Sequence, residues 1–169
     1  MKLCTIDLGI DGGFTWITED LIGNKVEAAK MPETTIGMKE LIQRTGADYF
    51  VIETVQVRPN DQANGRLFNV LKMMRNRHQL ETILEILEIP HFLITPQMWQ
   101  KPYKEKIKGM EYAERKRFFR LKGQELFPKV KVVGWNADAI MILHYIERSR
   151  IAQTDWLKLK CRDVGIKLW

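Results

Sequence analysis

The sequence predicts an α/β fold, a mixed five-stranded sheet flanked by helices. Three observations carry that prediction. Short apolar runs recur at "KLCTID", "GFTWITED", "KVEAAKMP", "DYFVIE" and "HFLIT". Stretches with apolar residues at helical spacing separate and follow them. Asp7 and Glu53 end the first and fourth of these runs, at the strand edge where open α/β sheets place their sites.

Taken in order, "KLCTID" reads as a buried strand, and "GFTWITED" after the Gly12-Gly13 turn alternates well enough to pair with it as a hairpin. "KVEAAKMP" completes a meander. "TIGMKELIQRTG", Thr35 to Gly46, sets Ile36, Met38, Leu41 and Ile42 on one helical face, with Gly46 as its stop. "DYFVIE" is a continuous apolar run, the pattern of a central strand covered on both sides. From Gln62 to Leu87 the period is helical, through Leu67, Phe68, Leu71 and Met74 and then Leu80, Ile83, Leu84 and Leu87, and Pro90 ends it. "HFLIT" is the last strand and "PQMWQ" a turn. Glu111 to Phe127 is a basic amphipathic helix stopped by Pro128, and "NADAIMILHYIERSR" is a helix with Asn136 as its N-cap. No internal repeat or low-complexity tract interrupts this series.

A chain of 169 residues builds one substantial core, expected over residues 1–150. The tail, residues 151–169, carries Trp156, Leu157, Leu159, Ile166 and Trp169 and is expected to dock on the domain or on a partner copy. No apolar run nears the roughly 20 residues of a membrane span. Four uncharged residues between Lys2 and Asp7 are too few for a signal-peptide core, so a mature, cytoplasmic chain is expected. Cys4 and Cys161 lie far apart without CxxC spacing, which argues against a disulfide framework and a structural zinc site. His144, Met141 and Tyr145 on the apolar last helix read as packing, and His78 as part of a solvated helix face.

The net charge is +6. Its placement says more than its size, because residues 101–131 hold eleven bases, Lys101, Lys104, Lys106, Lys108, Arg115, Lys116, Arg117, Arg120, Lys122, Lys129 and Lys131, against four acids. Trp99, Tyr103, Tyr112 and Phe118 interleave with them. Bases to neutralise a phosphate backbone and aromatics to stack on bases point to nucleic acid as partner.

If the strands ending in Asp7 and Glu53 are parallel neighbours, the two acids lie side by side and need a proton or a cation between them. Asp138, in the first turn of the last helix, can be brought to the same edge. Oxygen-only ligands of this kind suit Mg²⁺ or Mn²⁺, and three carboxylates suit a two-metal phosphodiesterase.

Set in order, the blocks "IDLGIDGGFTWI", "YFVIETVQVRP", "LITPQMWQKPY", "RFFRLKGQELFP" and "NADAIMILHYI" resemble the successive signature blocks of the RuvC-like Holliday junction resolvases, in particular the short bacteriophage and poxvirus forms. The resemblance runs from Lys2 to Arg148. It implies an RNase H-like fold, a homodimer, and Mg²⁺-dependent cleavage of four-way DNA junctions by symmetric nicks, with no small-molecule cofactor. Asp7 matches the family's first-strand aspartate, Glu53 the glutamate that ends its fourth strand, and Asp138 the aspartate of its final helix. The family often has one more carboxylate a turn earlier, where this chain has Trp135 beside Asn136. Asp11 either replaces it as a metal ligand or is ordinary turn chemistry before Gly12-Gly13. Lys101, with Lys104 in reserve, takes the place of the family's basic residue near the scissile phosphate, and Lys101, Lys104, Lys106, Lys108, Arg115, Lys116, Arg117 and Arg120 are the expected DNA contacts. The helix from Asn64 to Leu87 is the expected dimer face. The competing readings are another RNase H-like nuclease acting on flaps or RNA–DNA hybrids, and a junction-binding protein without activity. A sugar-kinase or actin-like ATPase also opens with an aspartate and glycines but needs a chain near twice this length.

Overall fold

The computed structural model of the chain describes residues 2–9, 11–20, 23–55, 57, 61–63 and 65–150; the tail and its expected docking lie outside them. Strand β1, Leu3–Asp7, is buried along its whole length. It pairs antiparallel with β2, Gly13–Asp20, which pairs antiparallel with β3, Gly23–Lys30. A tight turn joins β1 to β2, where the Gly12 N–H donates to the Gly9 carbonyl at 2.7 Å. A Cβ on Gly12 would stand 2.2 Å from the Asp7 carbonyl oxygen, so only glycine closes the chain there.

Helix α1, Thr35–Thr45, opens on Thr34, whose Oγ1 accepts from the Gly37 N–H at 3.0 Å, and closes on Gly46 in the left-handed region at φ 55°. It leads into β4, Tyr49–Glu53, which lies parallel to β1 in the register Leu3 to Tyr49 through Ile6 to Ile52. Strand β5, His91–Ile94, adds in parallel beyond β4, so the sheet order is β3-β2-β1-β4-β5. β1 and β4 are its inner parallel pair, which is why both read as unbroken apolar runs.

Alternation along these strands sorts the core into two halves. Cys4 and Ile6 of β1 and Phe50 and Ile52 of β4 face α1 and the helix α2, Leu67–Ile86, and join Met38, Leu41, Ile42, Leu80 and Leu84. Leu3, Tyr49 and Val51 face the other way, against α3 (Pro96–Gln100), α5 (Tyr112–Leu126) and α6 (Ala137–Arg150). By the same period Thr5, Asp7 and Glu53 belong to that second side.

Some boundaries differ from the sequence expectation for local reasons. α2 starts at Leu67, because the Arg66 and Leu67 N–H groups fold back onto the Asp61 carbonyl. "PQMWQ" is a short helix, α3, capped by Thr95 and started by Pro96, and it continues through a 3₁₀ turn, Lys101–Tyr103, into α4, Lys104–Ile107. α5 has a capping box between Glu111 and Glu114. Asn136 precedes α6, but its side-chain oxygen accepts from the Val133 N–H at 2.8 Å, so it braces the incoming loop. Met141 is fully buried and His144 packs edge-on against Phe127, in keeping with a packing role. Among the described residues no helix is long and apolar enough to cross a membrane.

Candidate active site

Three placements bring acids to one spot. Register and alternation set Asp7 and Glu53 at neighbouring strand ends on the same side of the sheet. α6 is fastened across that side by Thr5, whose buried hydroxyl donates to the Ala139 carbonyl at 2.7 Å. Asp138 is the residue before Ala139, so the same bond delivers its carboxylate to the strand ends. All three acids are buried.

The cation that meets them comes from α5. Lys116, Phe119 and Gly123 fall on the inward line of this helix, with Phe119 and Gly123 buried. A side chain on Gly123 would press within 3.2 Å of Val132 and 3.5 Å of Ile140, so its absence lets α5 lie close to α6. Lys116 Nζ then donates to Asp138 Oδ2. Burial works against the charged Lys116, but the carboxylates of Asp138 and Asp7 outweigh it and hold the ammonium above its ordinary pKa.

The acids do not carry their charge easily. Burial first, and then the charge of Asp138, push the Asp7 pKa from 3.8 up to about 6, against the opposing pull of Lys116 and of the Gly9 N–H, which donates to Asp7 Oδ1 at 2.8 Å. Glu53 is raised well above its ordinary value by burial and by the charges of Asp7 and Asp138, although Trp99 Nε1–H donates to its Oε1 at 2.7 Å. Asp138 Oδ1 is buried and has no hydrogen-bond partner among the described residues. Among the described residues one ammonium faces three carboxylates, and one carboxylate oxygen lacks a donor. Such a cluster is short of positive charge, and its donors are all hard oxygens, so it fits a Mg²⁺- or Mn²⁺-type ion by chemistry and by charge. As it stands, no group of three or more His, Cys, Asp and Glu side chains among the described residues is gathered as a metal site. Lys116 holds Asp138 through its other oxygen, Oδ2.

The other expected site residues lie as follows. Asp11 is exposed on the turn between Gly9 and Gly12. Trp135, where the resemblance leads one to expect a further acid, packs its ring so closely on Gly13 that a Cβ there would stand 2.7 Å from it. Lys101 is exposed at the start of the 3₁₀ turn, and Lys104, Lys106, Lys108, Arg117 and Arg120 are exposed on α4, α5 and the loop between them. Arg115 and Lys116 are half-buried.

One expectation is overturned. Trp99, Tyr103, Tyr112 and Phe118 do not form a row of stacking aromatics: Trp99 and Tyr103 are buried and pack with Phe118 and Phe119. Trp99 on α3 and Tyr103 on the 3₁₀ turn face the sheet's second side, where Phe118 and Phe119 of α5 meet them. Tyr112 alone of the four is mostly exposed, at 64%, with the Arg115 and Lys116 cations 5.8 and 5.7 Å from its ring. Sequence reasoning missed Lys116 as the partner of the acids and Trp99 as the donor to Glu53. The first had a signal, a lysine in line with the inward Phe119 and Gly123. The second had none, because it depends on how α3 turns after β5.

No family model and no curated protein matches the chain. Solved structures do. Over 91% of this chain and 98% of the other, the fold superposes on Thermus thermophilus RuvC in complex with a Holliday junction substrate, with TM-score 0.59 and 11% identity. A second T. thermophilus RuvC structure matches over the same shares, with TM-score 0.52 and 16% identity. The fold is that of RuvC. The RuvC fold is RNase H-like, a mixed five-stranded sheet flanked by helices, and here its inner strand ends and its last helix are the elements that carry Asp7, Glu53 and Asp138.

Proposed function

We propose that the chain is a structure-selective endodeoxyribonuclease that resolves four-way DNA junctions by metal-dependent hydrolysis of phosphodiesters. The observation that carries this reading is the meeting of Asp7, Glu53 and Asp138 with Lys116 at the ends of the inner strands of a RuvC fold. Asp7, Glu53 and Asp138 would hold the divalent ions, two per site. Bound there, Mg²⁺ or Mn²⁺ supplies water activation and neutralises charge at the phosphate. The protein's own part is positioning and charge. The strand ends and α6 fix the carboxylates, burial keeps bulk water from screening them, and Lys116, once released from Asp138, offers an ammonium to the negative charge that develops on the phosphate. Lys101, Lys104, Lys106, Lys108, Arg115, Arg117 and Arg120 hold the DNA backbone.

A homodimer would match a two-fold junction with two sites. α2 supports it: Val70, Leu80, Ile83 and Leu84 are buried within the domain while Phe68, Leu71 and Ile86 remain exposed, so the helix is apolar on more than one side.

Incubation of the protein with a synthetic four-way junction, and with duplex, flap and RNA–DNA hybrid controls, in Mg²⁺ or in EDTA, tests the reading. Paired nicks in the junction alone, leaving 5′-phosphate and 3′-hydroxyl ends and needing Mg²⁺, are expected. Preferred cutting of flaps or hybrids would move the substrate class. Asp7→Asn is expected to bind the junction without cutting it, and an active Asp7→Asn enzyme would sink the scheme. The same assay separates a second reading, a junction-binding protein without activity, which is favoured by Trp135 in place of an acid and by Lys116 on Asp138.

A further inference from the structure

The donor to Glu53 has no part in the chemistry above. Trp99 is fully buried, and its placement follows from the elements around it. Glu53 pairs in register with Ile94, the last residue of β5; Thr95 caps α3; and Trp99 lies one turn along that helix. Its Nε1–H meets Glu53 Oε1 at 2.7 Å, while its ring packs on Phe119 with centroids 4.8 Å apart. Phe119 lies three residues beyond Lys116 on α5. One indole therefore touches both the acid at the end of β4 and the helix that brings the lysine.

An indole N–H donates and cannot accept, and it does not ionise near neutral pH. It occupies one carboxylate oxygen without competing for a cation and without serving as an acid. Glu53 has a longer side chain than Asp7, with one more torsion to fix. We infer that Trp99 is a positioning residue: its N–H pins Glu53 through Oε1, leaving Oε2 to face a divalent ion, while its ring packs on Phe119 of α5. The inference rests on the metal-dependent reading above and goes one residue further. A buried tryptophan that merely finds a partner for its N–H would look the same in the fold, so the test must separate ion binding from stability.

Mn²⁺ binding to the full chain is measured by electron paramagnetic resonance for the wild type, Trp99→Phe and Phe119→Leu, beside thermal unfolding in EDTA and cleavage of a four-way junction. Trp99→Phe keeps a ring and loses the donor. It is expected to bind Mn²⁺ about tenfold more weakly and to lose kcat by about tenfold or more, with KM for the junction unchanged, as loss of a ligand's supporting hydrogen bond does elsewhere. Phe119→Leu disturbs the packing and keeps the donor, so it is expected to lower Tm without changing Mn²⁺ affinity. Wild-type affinity in Trp99→Phe overturns the inference, and so do losses in both variants that track their Tm. If those two results come with a wild type that binds Mn²⁺ and cuts junctions, only the role of Trp99 falls. A wild type that does neither removes the functional reading and Trp99 with it. Should Trp99→Phe not fold, the indole N–H resonances of the chain's five tryptophans answer instead. One indole signal is expected to move on Mg²⁺ addition and to be displaced in Glu53→Gln, and no response in any of them overturns the inference.

Discussion

The two sides of the sheet are built from alternate residues of the same strands and are put to different uses. Toward α1 and α2 the strands present Cys4, Ile6, Phe14, Trp16, Phe50 and Ile52, an apolar layer. Toward α5 and α6 the same strands present Thr5, Asp7 and Glu53 among Leu3, Tyr49 and Val51. One side gains stability from every residue it buries. The other buries three carboxylates, two of them driven well above their ordinary pKa, and leaves Asp138 Oδ1 without a donor among the described residues. Burying like charges destabilises the metal-free fold, so the apolar side must supply the stability that the acidic side gives up.

The largest expected effect is a split between two substitutions on adjacent inner strands. Asp7→Asn is expected to lose cleavage on the order of 10³-fold or more, as removal of a group acting at the reacting centre commonly does. In the absence of metal it is also expected to raise Tm, because it removes one of the buried charges while the Asn oxygen can still accept from Gly9. Ile52→Ala, at a fully buried position of the other side, is expected to lose about 2–5 kcal/mol of stability. At a temperature where it is still folded, its kcat should match the wild type. Thermal unfolding in EDTA and a junction-cleavage assay check both. Equal signs for the two stability changes would break the contrast.

The sequence made the apolar side legible almost completely. Strand period, the helix from Thr35 with its Gly46 stop, and the unbroken runs of β1 and β4 all depend on contacts that local pattern encodes. It also placed Asp7 and Glu53 at strand ends, because a strand's end and its parity are readable from its own residues. What it could not supply depends on the angle between elements. The Lys116 contact needs α5 to approach α6 closely at Gly123, and the Trp99 bond needs α3 to turn back under β4. The aromatics of the basic segment show the same limit: interleaved with bases they look like a stacking surface, until the packing of α3 and the 3₁₀ turn buries Trp99 and Tyr103 against Phe118 and Phe119.

A pH profile sharpens the contrast at intermediate size. The Asp7 carboxyl has a folded-state pKa of about 6 against 3.8 for the free group. The folded protein therefore binds that proton more tightly than the unfolded chain does. Stability from this group is present at low pH and falls as pH rises from about 4 through about 6, by roughly 1–3 kcal/mol in the metal-free protein. Glu53, raised as well, responds in the same sense, so the useful quantity is the stability of Asp7→Asn minus that of the wild type, expected to grow across that window and then level. Mg²⁺ should shrink the difference, since an ion that binds only the folded wild type restores what the charges lose. Urea unfolding at a series of pH values, with EDTA or Mg²⁺, measures it.

The smallest expected effect divides the acidic side itself. Arg117 and Arg120 are exposed on α5, while Lys116 on the same helix is drawn inward to Asp138. If the outward pair only holds phosphates, replacing both with Ala removes two backbone contacts. The slope of log K against log salt should then fall in magnitude by about 2, with a loss of affinity at low salt that is similar for duplex and for junction. The kcat at saturating junction should not change. Lys116→Gln, in contrast, removes the one ammonium among the acids, so its effect should appear in kcat. Fluorescence anisotropy across a salt series, with single-turnover cleavage beside it, separates the two. A fall in kcat for the double Arg variant would show that the outer face of α5 reaches the reacting phosphate, and the division between holding DNA and acting on it would move from between residues 116 and 117 to the helix as a whole.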